Sequence, residues 1–216
     1  MNSDCNSFII NNGAFIRDLD SMYANIDDPW DQFKSYKDDI PTLSSFYLVH
    51  SLFPHLQTKT INILDIGCAN GYHSSEFHRY FPNSHYYGTD ISATIINKAK
   101  SQFSGPTTSF LVDDCRIRNS SFVGKFNIIF SSKTLYLVSP EIDSVLKNII
   151  TYLLDGGLFV FVYNQREDSF SNQFLTYNLL RQTLANSVFR ESLFVEYHLD
   201  FSESLAVGIY QLDSNK

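Results

Sequence analysis

Three cysteines in 216 residues, at positions 5, 68 and 115, are too few and too far apart for a disulfide framework, and no Cys/His cluster has zinc-site spacing. That usage fits a reducing, cytoplasmic setting, with no metal expected. The chain has no run of about 18 uncharged apolar residues. Its start, Met1-Asn2-Ser3-Asp4, lacks the basic-then-apolar order of a signal peptide, so no membrane association is expected. Lys and Arg number 16 against 23 Asp and Glu, with no basic run; a net charge of −7 and a pI near 5.2 oppose attraction to phosphate backbones. A nucleic acid partner is therefore not expected. The G-x-G-x-x-G dinucleotide fingerprint and the Lys-Ser/Thr of a P-loop are also missing, so phosphate is not the expected ligand of any glycine turn here.

What is present begins with Ile61-Asn62-Ile63-Leu64-Asp65-Ile66-Gly67-Cys68-Ala69-Asn70-Gly71, an apolar strand ending in an acid and a glycine-bounded turn. Gly67 and Gly71 permit backbone torsions and a close ligand approach that a side chain would block, and the turn should open a helix from Tyr72. The pattern then alternates. Ser84 to Asp90 reads as a second strand ending in an acid, Ala93 to Lys100 as a helix with Ser92 as N-cap, and Thr108 to Val112 as a third strand. Phe126 to Ser131 is a fourth strand and Ile142 to Leu154 a helix ending at the turn Asp155-Gly156-Gly157. Leu158 to Tyr163 is a fifth strand. A helix from Asn172 to Ala185 and a hairpin of Ser192 to Phe201 with Ser204 to Leu212 complete the pattern. Near-continuous apolar strands separated by helices predict an α/β doubly wound fold, a mostly parallel sheet covered on both faces.

One domain is expected, 44% hydrophobic and 18% charged, with no repeat or low-complexity linker. Residues 59–216 form the ligand-binding body. Residues 1–58 read as an N-terminal helical cap, with Pro29 and Pro41 marking helix boundaries. Tyr47, Leu48, Val49, Leu52, Phe53 and Leu56 give a face to dock on the sheet, while Tyr23, Trp30 and Tyr36 share no helical stripe and are placed instead at the site.

Asp65-Ile66-Gly67-Cys68-Ala69-Asn70-Gly71 resembles the first motif of the class I S-adenosylmethionine-dependent methyltransferases, acid-x-Gly-x-Gly-x-Gly, with Ala69 at the middle glycine. The resemblance covers roughly residues 60 to 212 and implies seven strands in the order 3-2-1-4-5-7-6, the last of them antiparallel. It implies S-adenosylmethionine as cofactor and S-adenosylhomocysteine as product, with Asp65, Gly67, Cys68, Ala69 and Gly71 forming the cradle. Asp90, with Ile91 beside it, is implied as the acceptor for the ribose hydroxyls; the competing role is an acid capping the next helix with Ser92. Asp114 with Cys115 is implied at the adenine, Asp113 being the rival in register. Ser131 and its successors fall where such enzymes place residues beside the reactive methyl group. The segment Ser131-Ser132-Lys133-Thr134 differs from the Asn/Asp-Pro-Pro-Tyr/Phe of nucleic acid N-methyltransferases, which argues against base methylation.

Lys133 stands where many small-molecule relatives carry an acid, so it either meets an anionic acceptor or points to water. Asp28-Pro29-Trp30-Asp31-Gln32-Phe33-Lys34-Ser35-Tyr36 is similar to a segment of nodulation-type N-methyltransferases, which implies a lid whose Trp30 and Tyr36 close on the sulfonium; Trp30 as a plain anchor of the cap is the alternative. The polar loop Tyr163 to Ser169 is expected to recognise substrate or to cap the next helix through Asp168 or Ser169. No spacing singles out a general base, and Tyr36, Lys133, Tyr136 and His50 are the catalytic candidates. His73 follows the cradle and is placed at the methionine end. The expected function is methyl transfer to nitrogen or oxygen of a small-molecule acceptor by a monomer or homodimer. A protein methyltransferase, a non-catalytic binding module and a nicotinamide oxidoreductase are the competing classes.

Overall fold

The computed structural model describes residues 5–27, 29–30, 40–166, 170–198 and 203–213. Seven strands form one sheet: β1 Ile61–Ile66, β2 Ser84–Asp90, β3 Thr108–Val112, β4 Phe126–Ser132, β5 Leu153–Arg166, β6 Phe189–His198 and β7 Glu203–Leu212. Their spatial order is β3-β2-β1-β4-β5-β7-β6. All neighbours pair in parallel except β7, which runs antiparallel to both β5 and β6. This is the expected doubly wound sheet with its expected order.

Strand alternation explains the two cores. Leu64, Ile66, Ile129, Phe159 and Phe161 point to one face and pack with Val145, Ile149, Leu180 and Leu184. Those partners come from α6 Ile142–Tyr152 and α7 Tyr177–Ala185. Ile61, Ile63, Ile128, Phe130, Val160 and Val162 point to the other face, against Phe46, Val49, Phe77, Ile96 and Ala99. These belong to α3 Ile40–Leu52, α4 His73–Tyr80 and α5 Ala93–Phe103. A central strand buried on both faces has no polar alternation to show, hence the continuous apolar runs.

Caps set the helix starts. Ser92 Oγ accepts from the Ile95 N–H at 3.3 Å to open α5, as expected. Thr176 Oγ1 accepts from Leu179 N–H at 3.2 Å, a bond of the kind worth about 1 kcal/mol. α7 therefore begins at Tyr177 and not at Asn172, and Phe170–Gln173 is a separate 3₁₀ turn. The expected turn Asp155-Gly156-Gly157 lies inside β5, where the pairing shifts register between Phe126–Leu153 and Ile128–Leu158. Gly156, at φ +70°, takes up that bulge. Residues 168 and 169, the expected helix caps, lie outside the described residues.

Before the sheet, α1 Asn6–Ile9, a two-residue hairpin of Ile10–Asn11 with Ala14–Phe15, and α2 Leu19–Asn25 cross the carboxyl edge of the strands. They share a small core of Cys5, Ile9, Leu19, Met22 and Leu137. The inward face of α3 corrects the expectation in part: Val49 and Leu56 are buried and Leu48 and Phe53 pack on the same core as expected, but Tyr47 and Leu52 do not. Tyr47 and Leu52 are 58% and 48% exposed, while Thr42, Ser45, Phe46 and Val49 are buried. Small hydroxylated residues let the helix approach the sheet closely because their polar atoms are satisfied on the spot. Ser45 Oγ donates to the Thr42 carbonyl at 2.6 Å, and Thr42 Oγ1 and Ser132 Oγ share a hydrogen bond of 2.9 Å.

Candidate functional site

At the end of β1 the backbone turns through three left-handed residues, Gly67, Ala69 and Gly71, at φ +73°, +46° and +84°. The turn is tied to β2 by the N–H groups of Gly67 and Cys68, which both donate to the Thr89 carbonyl at 2.8 and 2.9 Å. A Cβ on Gly67 would overlap the Thr134 side chain, and one on Gly71 would come within 2.7 Å of the Phe110 ring. Glycine is thus required twice by space as well as by torsion. Ala69 tolerates the left-handed region at a cost of about 1 kcal/mol, and its N–H donates to Asp90 Oδ2 at 3.2 Å.

A cavity of about 350 Å³ lies above this turn at the carboxyl edge of the sheet, where ligands bind in doubly wound folds. Sheet order dictates its lining: Asp113 to Arg116 after β3, Asp90 and Ile91 after β2, Gly67, Ala69 and His73 after β1, then Ser132 to Thr134 after β4. Its roof comes from Arg17, Leu19, Tyr23 and Trp30 of the N-terminal segment and from Tyr136, Leu137 and Val138. The last three belong to a 3₁₀ helix, Leu135–Glu141. Asn164 and Glu203 close the far side, the Asn164 amide donating to Glu203 at 2.9 Å.

Acidic groups dominate the floor. Asp90 is 6% exposed; its Oδ1 accepts from Ser92 N–H at 3.0 Å, and burial pushes its pKa up to about 6. Burial also raises Asp113, which accepts from the Asn119 amide at 2.8 Å. Asp114 moves the other way because Arg116 grips it in bidentate fashion, Nε to Oδ1 at 2.8 Å and Nη2 to Oδ2 at 2.7 Å. The same bond holds the Arg116 guanidinium above its ordinary value. Desolvation pushes the Cys115 thiol up to about 12 and keeps Tyr136 a neutral phenol. Neither is poised to ionise near neutrality.

Behind the turn, Asp65 is fully buried. Its Oδ2 accepts from Tyr86 Oη at 2.7 Å and shares a hydrogen bond of 3.0 Å with His73 Nδ1, while its Oδ1 has no hydrogen-bond partner. A buried carboxylate oxygen without a donor is costly, and this one lies behind the cavity wall.

Of the residues singled out from sequence, Gly67, Ala69, Asp90, Ile91, Asp113, Asp114, Cys115, Lys133 and Tyr136 line the cavity, together with Tyr23, Trp30 and His73. Asp65, Cys68, Gly71 and Ser131 are buried and lie behind its wall; Ser131 Oγ donates to the Ile66 carbonyl at 3.4 Å. His50 is not at the cavity. Its ring packs 5.5 Å from Tyr80 and 6.1 Å from Phe81, because the Thr42 and Phe46 side of α3 is the side turned inward. Tyr36 lies outside the described residues. Arg17, Arg116 and Glu203 line the cavity without having been expected there. Arg17 and Glu203 carry no local signal, whereas Arg116, two positions beyond Asp114, marks an acid held by its own turn.

Among the described residues no group of three or more His, Cys, Asp or Glu could hold a metal ion, and no helix is long and apolar enough to cross a membrane.

Residues 63–157 match the family model described as a methyltransferase domain. Malonyl-[acyl-carrier protein] O-methyltransferase 1 of Ilyobacter polytropus is 32% identical over 136 residues, 62% of this chain and 46% of that protein. The enzyme of the same name from Bacillus cereus is 26% identical over 119 residues, 53% of this chain and 43% of that one. The chain thus spans about half the length of the curated relatives it matches. Among solved structures, the N-methyltransferase NodS of Bradyrhizobium japonicum, in complex with S-adenosylhomocysteine, superposes with a TM-score of 0.66 at 17% identity. That superposition covers 90% of this chain and 97% of NodS. The [4+2]-cyclase SpnF also gives 0.66, at 11% identity, over 79% of this chain and 80% of its own.

Proposed function

We propose that this chain, by domain and fold a class I S-adenosylmethionine-dependent methyltransferase, transfers a methyl group to nitrogen or oxygen of a small acceptor. The observation that carries the reading is one cavity. Its floor joins the left-handed Gly67 and Ala69 to Asp90 and to Asp114, acids that follow one another along the sheet edge. The residues fit the cofactor: left-handed Gly67 and Ala69 line the cavity beside Asp90 and Asp114, carboxylates that can accept from hydroxyl and amino groups. When bound, S-adenosylmethionine supplies a methyl group already activated on a sulfonium.

The chain's own residues then have three tasks. Asp90 accepts from the ribose hydroxyls. Asp114, oriented by Arg116, accepts from the adenine amino group beside the Cys115 backbone; both its oxygens bond Arg116, yet a carboxylate offers about four lone-pair sites. Tyr23, Trp30 and Tyr136 exclude water and offer ring faces to a cation, with Trp30 Nε1 donating to Tyr23 Oη at 2.6 Å. Because burial keeps Tyr136 protonated, it orients an acceptor and is not a base.

A small acceptor is supported by the roof that Arg17, Leu19 and Trp30 place over the cavity, where a protein chain would need an open groove. Lys133 at the β4 end supports an acceptor bearing an anionic group. The malonyl relatives support oxygen as the methylated atom, and NodS supports nitrogen. Incubation with methyl-labelled S-adenosylmethionine and a panel of small amines, hydroxy acids and dicarboxylic half-thioesters tests the reading. Label in an organic acceptor supports it. Cofactor binding without transfer to any acceptor favours a binding module instead.

A further inference from the structure

Four charged side chains of alternating sign run from the floor of the cavity to its roof: Asp114, Arg116, Glu141 and Arg17. Arg116 grips Asp114 through Nε and Nη2, at 2.8 and 2.7 Å. Its remaining arm, Nη1, faces Glu141 Oε1 at 3.8 Å, and the other oxygen of Glu141 accepts from Arg17 Nη2 at 2.7 Å. Arg17 in turn donates from Nε to the Leu137 carbonyl. Three separate pieces of chain meet in this row: the turn after β3, the 3₁₀ helix Leu135–Glu141 and the N-terminal segment. Asp114, Arg116 and Arg17 line the cavity, whereas Glu141 stands outside that lining and faces both arginines.

Like charge makes Glu141 the member on which the others depend. Burial draws the Arg17 pKa down; Glu141 opposes that, and the Arg116 charge adds to it. The two guanidinium groups repel each other, and Glu141 is the acid that stands between them with one oxygen towards each. The Arg17 and Arg116 side chains are only 11% and 26% exposed, so water screens them less than it would on an open surface. We propose that Glu141 is a positioning residue that couples closure of the N-terminal roof to adenine recognition. By bridging Arg17 and Arg116 it holds the roof over the adenine end, steadies the Arg116 grip on Asp114 and slows cofactor release. This rests on the cofactor assignment above, with adenine at Asp114. Coupling between two sites is reciprocal: a ligand seated at Asp114 favours the closed roof, and a closed roof favours Asp114 in its bound orientation.

Glu141→Gln, which keeps the shape of the side chain and removes its charge, tests the coupling in the full chain with S-adenosylhomocysteine and 5′-methylthioadenosine as probes. Stopped-flow release of S-adenosylhomocysteine should be several-fold faster than in wild type. Arg17→Ala combined with Glu141→Gln should be no faster than the faster single variant, because both break one bridge. Calorimetric affinity for 5′-methylthioadenosine should fall about threefold in Glu141→Gln, the scale of a partly exposed ion pair, and change little in an Asp114→Asn background. Wild-type release should also quicken with added salt, and this measurement stands even if Glu141→Gln does not fold. Effects of Arg17→Ala and Glu141→Gln that multiply, an affinity loss undiminished in Asp114→Asn, release unchanged in Glu141→Gln, or wild-type release indifferent to salt each overturn the coupling and leave the cofactor assignment standing. A wild-type chain that binds neither probe overturns the cofactor assignment, and the coupling with it.

Discussion

Arg17 and Leu137, 120 positions apart, are joined in the roof of the cavity by a hydrogen bond of 2.6 Å from Arg17 Nε to the Leu137 carbonyl. Arg17 adopts φ +53°, and its Nη2 also meets Glu141 at 2.7 Å. On the other side of the cavity Asp20 accepts from Ser92 Oγ at 2.6 Å and from the Thr94 N–H at 3.1 Å. The N-terminal segment is thus strapped to both rims, to the 3₁₀ helix by Arg17 and to the start of α5 by Asp20.

Arg17→Ala should release one end of that strap. The bonds to a carbonyl and a partly exposed carboxylate are together worth about 1–2 kcal/mol. The expected result is that loss in urea denaturation, with several-fold faster release of S-adenosylhomocysteine in a stopped-flow chase. Unchanged release would mean that Arg17 does not hold the roof closed.

Two substitutions in the cradle should move in opposite directions. Gly67→Ala places a Cβ inside the Thr134 side chain at φ +73° and should cost about 2 kcal/mol or more. Ala69→Gly relieves a left-handed alanine, a gain of up to about 1 kcal/mol. Thermal unfolding separates them: a large drop in Tm for the first, and an unchanged or higher Tm for the second.

Asp90 gives a signed pH dependence. Its folded pKa of about 6 lies above the ordinary 3.8, so between those values the native state binds the proton more tightly. Above about pH 6 the buried charge therefore opposes folding, and the penalty is relieved as pH falls towards 4, by about 3 kcal/mol in all. Asp20, Asp114 and Glu191, whose pKa values are lowered, pull the other way but are common to wild type and Asp90→Asn. The stability of wild type relative to Asp90→Asn should accordingly rise from pH 7 to pH 4 in paired denaturation curves. A flat difference would contradict the burial of that charge.

Adenine recognition separates two neighbouring acids. Asp114→Asn should weaken 5′-methylthioadenosine about tenfold, the loss of one charge-assisted bond together with its Arg116 support. Asp113→Asn should change it little, since Asp113 bonds Asn119. Fluorescence titration of both variants would show the reverse order if Asp113 were the contact.

Features written in a few adjacent residues are the ones legible in the sequence. The acid-glycine turn, the Ser92 cap and the apolar strands are of that kind, while the sheet order comes from the family resemblance. The bulge in β5 stays hidden because Gly156-Gly157 signals a turn whether or not a strand continues through it. The inward face of α3 is misleading because Thr42 and Ser45 are polar in composition and buried only through bonds to Ser132 and to the helix's own backbone. The Leu135–Glu141 turn, containing Pro140, has no helical periodicity to betray it. Arg17 reaches its partners across more than half the chain, a contact that only tertiary structure creates.

Whether Asp90 and the glycine cradle hold S-adenosylmethionine is decided first by calorimetric titration of the wild-type chain and Asp90→Ala with S-adenosylhomocysteine, with NAD as control. Micromolar binding by wild type, lost in Asp90→Ala and absent for NAD, is expected. No binding by wild type at millimolar ligand, or binding that Asp90→Ala leaves intact, would refute the assignment.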